Sequence, residues 1–113
     1  MRSEITSGNS TIKISEDVII TCIANAALAT KGLAGLSGAS PKKGVKLSKE
    51  EEKLVVDLYV ILNYGVKIPE VAWNIQKNVK KELEKIITRE IKAINIHVQS
   101  IYFKEQEVSD ESQ

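Results

Sequence analysis

LVVDLYVILNYGVKIPEVAWNIQKNV, residues 54–79, holds two hydrophobic periods in succession, and the change between them decides the fold. In its first half apolar residues recur at every second position. Leu54, Val56, Leu58, Val60 and Leu62 fall on one side and Val55, Asp57, Tyr59, Ile61 and Asn63 on the other, because side chains alternate along a strand. One side is a core face and the other is mixed. Tyr64-Gly65 breaks the strand, and Pro69 then suits the start of a helix, where its missing N–H would have no intrahelical partner. Glu70 suits the positive end of the helix dipole. At about 100° per residue, Ile68, Ala72, Ile75, Val79, Leu83 and Ile86 form the apolar stripe of this helix.

Upstream of the long strand, GVKLS (44–48) and the charged turn KEEEK (49–53) complete a β-hairpin with it. Further upstream, TIKIS (11–15) alternates as a short strand. Ser15, followed by Glu16 and Asp17, supplies a capping hydroxyl and two acids at a helix start. That first helix carries Ile19, Ile20, Ile23, Ala24 and Ala27 on one stripe and is expected to close at Gly32, with Lys31 at its negative end. The glycine-rich segment 32–44 reads as a loop with a short edge strand over 33–36. After the second helix, IKAINIHVQSIYF returns to alternation as a last strand. The predicted fold is therefore α+β in the order β-α-β-β-α-β, a mixed, mostly antiparallel sheet with both helices on one face. Residues 11–103 are read as one domain, between a flexible N-terminus over 1–10 and an acidic, flexible tail over 104–113.

A chain of 113 residues needs no staple to form a core. Its 16 basic and 15 acidic side chains leave a formal charge of +1, which calls for neither nucleic acid nor an anionic membrane. The longest nearly apolar runs, 18–29 and 54–62, fall short of the roughly 20 residues of a membrane span. One cysteine and no signal-like N-terminus make the cytoplasm the expected compartment.

Catalytic sets are sparse. Asp57, Tyr59 and His97 converge if the long strand and the last strand are neighbours, and a carboxylate that orients an imidazole is familiar acid–base geometry. No nucleophile accompanies them, and a sheet face free of helices is ordinarily polar in this way. Cys22 has apolar company and reads as a small core residue. One histidine and one cysteine cannot build a metal site, and neither phosphate-loop pattern is present, so no cofactor is expected. Around the second helix Lys77, Lys80, Lys81, Lys85, Arg89 and Lys92 outnumber Glu82, Glu84 and Glu90, which makes a small nucleic-acid-binding module the alternative reading. Trp73, on the flank of the apolar stripe, either packs under a neighbouring loop or anchors a protein partner. Tyr64, Lys67, Trp73 and Lys77 stand beside the stripe and form the candidate partner surface.

The series from Asp57 to Ile86, followed by INIHVQSI (94–101), resembles the alkaline shock protein family, also called the envelope stress response family. Asp57 and Tyr59 match its D-x-Y strand, and Tyr64, Gly65, Ile68, Glu70, Val71 and Ala72 match its Y-G-x-x-I-x-E-V-A segment. Gln76, Val79 and Lys80 match Q-x-x-V-K, and Asn95 and Val98 match the last strand. Where that family often has a glycine after the second helix, this chain has Thr88-Arg89-Glu90. The resemblance implies a non-enzymatic protein of mostly Gram-positive bacteria that acts in cell-envelope homeostasis. It implies a protein partner, either a membrane-anchored protein or a component of fatty-acid synthesis in the acetyl-CoA carboxylase-linked branch, and allows a homo-oligomer.

Overall fold

The computed structural model describes residues 2–7, 10–38 and 44–103, with side chains described from residue 13 onward. The acidic segment 104–113 expected as a tail, and part of the glycine-rich loop, lie outside the described residues. Two strands, β1 (Arg2–Ser7) and β2 (Ser10–Ser15), pair antiparallel with Ile5 opposite Ile12. The sequence reading assigns no element before residue 11; the structure forms β1 there. This hairpin is a sheet of its own, separate from the main one.

Helix α1 (Glu16–Leu28) starts where the capping signal places it, with the Val18 N–H donating to Ser15 Oγ at 3.4 Å. Its expected stripe is buried, from Ile19 through Ile23 to Ala27. Its end is not where glycine marks it. The helix stops at Leu28, four residues before Gly32. The buried Thr30 hydroxyl donates to the Ala26 carbonyl at 3.2 Å, its N–H donates to Ala27 O, and Asn78 donates to its Oγ1 at 2.9 Å. A side chain that takes up the last carbonyls ends a helix as well as a left-handed glycine does. Gly32, at φ 99°, instead turns the chain into β3 (Leu33–Leu36), the short edge strand expected there.

Strand β5 (Lys53–Asn63) is the spine of the four-stranded sheet. β4 (Val45–Glu50) pairs antiparallel with its first half and β3 with its second half. β6 (Ile91–Tyr102) runs parallel along nearly all of β5. A strand has two edges, so β3 and β4 share one edge end to end and β6 takes the other. Parallel neighbours require a crossover, and helix α2 (Ile68–Ile86) is that crossover, packed with α1 on one face. Between β4 and β5 the hairpin turns on Glu51 and Glu52, at φ 53° and 66°.

The core follows the two periods. Leu54, Val56, Leu58, Val60 and Leu62 are at most 1% exposed, and they meet Ile19 and Ile23 of α1 and Ile75, Val79 and Leu83 of α2. Burial of each such side chain contributes about 1.5–3 kcal/mol before entropy is counted. The α2 stripe differs from the expected one at its start: Ile68 is exposed and Val71 is buried in its place. Glycine at position 32 makes the room, since a Cβ there would lie 2.9 Å from Val71 Cγ2. Ile68, the first helical residue, projects into solvent instead.

Candidate functional site

On the sheet face away from the helices, the register sets Asp57 beside Asn95 and Tyr59 beside His97. The convergence expected of Asp57, Tyr59 and His97 is therefore present. His97 Nε2 lies 2.9 Å from Asp57 Oδ1, Asn95 Nδ2 donates to the same oxygen at 3.1 Å, and the His97 and Tyr59 rings stack at 4.6 Å. Burial pushes the Asp57 carboxyl up, but the hydrogen bonds from His97 and Asn95, with the charges of His97 and Lys46, outweigh it and hold the group below its ordinary range. Chemically this arrangement fixes an imidazole, and its described partners are Asn95, Tyr59 and the pair itself. It ties β5 to β6. Among the described residues no cluster of His, Cys, Asp and Glu is able to hold a metal ion.

The second site lies beside α2. Trp73 is 57% exposed, so it does not pack under a loop, and Lys77 holds its Nζ 4.5 Å from the ring centroid one helical turn on. Together with Gln76 and Lys80 they form one wall of an open groove of about 370 Å³ whose other wall is the start of β6, Ile91 through Ile94. Gln76 spans it, its Nε2 donating to the Ile94 carbonyl at 2.8 Å.

The four residues singled out by sequence do not gather in one place. Trp73 and Lys77 touch each other and line the groove. Tyr64, 70% exposed, packs instead against the Phe103 ring at 4.7 Å, and its N–H donates to Tyr102 O, so it belongs to the far end of β6. Lys67 is the N-cap of α2, with no side-chain capping bond. Sequence places Gln76 and Lys80 beside Trp73, but the candidate surface leaves them out together with the β6 wall. The signal was present for the first two, since positions 73, 76, 77 and 80 share one helical face, but absent for the wall, which depends on how β6 lies under α2. The basic excess around α2 is also less available than its count indicates. Lys85 pairs with Glu82 at 3.3 Å and Lys92 with Glu50 at 2.6 Å.

No helix among the described residues is long and apolar enough to cross a membrane. The fold is shared with solved domains at low identity: a double variant of the MamM CTD superposes with a TM-score of 0.57 at 13% identity, covering 81% of this chain and 86% of that one. A single-substitution variant gives 0.51 at 14%, covering 76% and 99%. These likenesses show architecture alone. By sequence the chain is similar to the uncharacterized protein YloU of Bacillus subtilis, 32% identical over 104 residues covering 80% of this chain and 87% of that protein. Spy1614 of Streptococcus pyogenes is 31% identical, with 89% and 95% covered. Spy1535 of the same organism is 48% identical over 64 residues, and there the match spans half of the relative's length. A family model covers residues 4–103, and the chain belongs to the alkaline shock protein 23 family, of cell envelope-related function.

Proposed function

We propose that this protein is a non-enzymatic, cytoplasmic binding protein that serves cell-envelope homeostasis through contact with a protein partner, and that the groove beside Trp73 is the contact surface. The observation that carries the reading is the exposure of Trp73 with Lys77 over its ring, beside an open groove rather than a closed pocket. A large aromatic left in water and fixed by a cation is an expensive surface for a chain with four per cent aromatic residues, and aromatic anchors dominate binding energy at protein interfaces. The non-enzymatic part rests on the internal use of Asp57 and His97, which hydrogen-bond each other and Asn95 across two strands. Family membership supplies the envelope context. The partner is either membrane-anchored or a component of fatty-acid synthesis, the two kinds the resemblance implies.

Benzoylphenylalanine, a photo-crosslinking residue that keeps a large aromatic side chain at position 73, with a control at the exposed Val18 of α1, tests this in living cells. The expected result is a discrete adduct from position 73 alone, found in the membrane fraction for an anchored partner and in the soluble fraction for a biosynthetic one. Equal adducts from both positions, or none from 73, would contradict the reading.

A further inference from the structure

The wall of the groove formed by β6 is the edge of a sheet. β6 pairs with β5 on one side, and no strand among the described residues pairs with the other. The Ile94 carbonyl faces that open side, because Gln76 donates to it from α2. Along a strand alternate residues share the direction of their N–H and C=O groups, so Ile96 and Val98 face outward as well, up to the register shift that follows Val98. Three consecutive outward positions amount to a ladder without its second rail, the arrangement to which an extended peptide adds as a strand.

Charge selects the peptide. The groove lining holds Lys77, Lys80 and Lys92 and no carboxylate. Lys92 is engaged by Glu50 and Glu51, but among the described residues Lys77 and Lys80 make no ion pair. One face of an added strand would look toward α2, where these two lysines and the Trp73 ring stand. We infer that the outer edge of β6 accepts an extended peptide segment of a partner as an added strand, with acidic side chains at alternate positions directed at Lys77 and Lys80. Gln76 then marks where an incoming N–H donates, since its amide already fills that role at Ile94. This rests on the reading of the groove as a partner surface and adds the mode and chemistry of recognition.

The test uses the full chain and three synthetic ten-residue peptides: alternating Glu-Val, alternating Lys-Val, and Glu-Val N-methylated at every second residue to remove the donors on one edge. Trp73 is the one tryptophan, so its fluorescence reports binding at the groove directly. The expected result is saturable binding of the Glu-Val peptide, at least tenfold weaker binding of the other two, and slowed amide exchange at Ile96 and Val98 on binding. Lys80→Glu weakens the Glu-Val peptide at least fivefold with an unchanged circular-dichroism spectrum. Equal affinity for the N-methylated peptide, or binding without added protection at Ile96 and Val98, overturns strand addition. So does absence of Glu-Val binding, or preferential binding of phosphatidylglycerol vesicles over the peptide. The proposed partner surface would survive each of these if crosslinking at position 73 still gave its adduct, and it would fall alone if peptides bound while that adduct was absent.

Discussion

His97 and Asp57, forty residues apart in sequence, join the two parallel strands of the sheet through a 2.9 Å contact on its helix-free face. The carboxyl sits below its ordinary range, so protons bind the unfolded chain more readily there. Its contribution to stability is then present above the unfolded value of about 4 and is lost as pH falls through the lower folded value. Asp57→Asn is expected to cost about 0.5–1 kcal/mol at neutral pH, at the low end for a charged hydrogen bond because His97 is half-exposed and screened. Urea unfolding of both proteins at pH 7 and below pH 4 measures it, with the difference shrinking at the acid end. A constant difference across that range would show that the network is not electrostatic.

Glycines at positive φ separate strain from crowding. Gly65 stands at φ 94° with open space around it, whereas Gly32 stands at φ 99° with Val71 2.9 Å from where a Cβ would lie. Gly65→Ala is expected to cost about 1 kcal/mol from the backbone alone. Gly32→Ala is expected to cost about 2–3 kcal/mol, because the added methyl must also displace a buried side chain. Chemical denaturation of the two variants ranks them, and equal losses would refute the packing of Val71 on position 32.

At the β4–β5 turn both central residues are glutamates in the left-handed region, a conformation that two-residue hairpins usually give to Asn-Gly. Replacing Glu51 and Glu52 together, as E51N and E52G, is expected to raise stability by about 1 kcal/mol, even though the exposed pairs of Lys92 with Glu51 at 3.4 Å and of Lys49 with Glu52 at 3.8 Å are lost. Thermal unfolding of the double variant checks the sign.

How far these features were legible in the sequence depends on whether local or long-range forces set them. The alternation of Leu54 to Leu62 and the stripe of α1 were legible because burial on one face writes its period directly into the chain. The end of α1 was not, because a buried threonine hydroxyl held by Asn78 from another helix outcompetes the glycine signal. The exchange of Ile68 for Val71 depends on the space left at Gly32, a contact between distant segments. For the site, the pairing of Asp57 with His97 followed from strand adjacency, which α2 as a crossover enforces. The exposure of Trp73 did not follow from its helical angle, since the end of β6 nearest it decides whether the ring is covered. Proximity in sequence groups Tyr64 with Trp73, but the strand end at Phe103 claims it instead.

Because Trp73 and Lys77 are exposed, their removal has little to unfold. Trp73→Ala and Lys77→Ala are each expected to change stability by less than about 1 kcal/mol, with a coupling of roughly 0.5 kcal/mol in the double-mutant cycle from the cation over the ring. Coupling near zero by urea denaturation would mean that the ring and ammonium are not held together in solution.

That tolerance makes the central claim open to a direct measurement. Tagged wild-type protein and the Trp73→Ala variant, shown equally folded by circular dichroism and melting temperature, are used to capture partners from membrane and soluble fractions, with quantitative mass spectrometry of what each retains. The proposed function predicts at least one protein enriched on the wild type and reduced tenfold or more on the variant. Identical retained sets for the two proteins would contradict it.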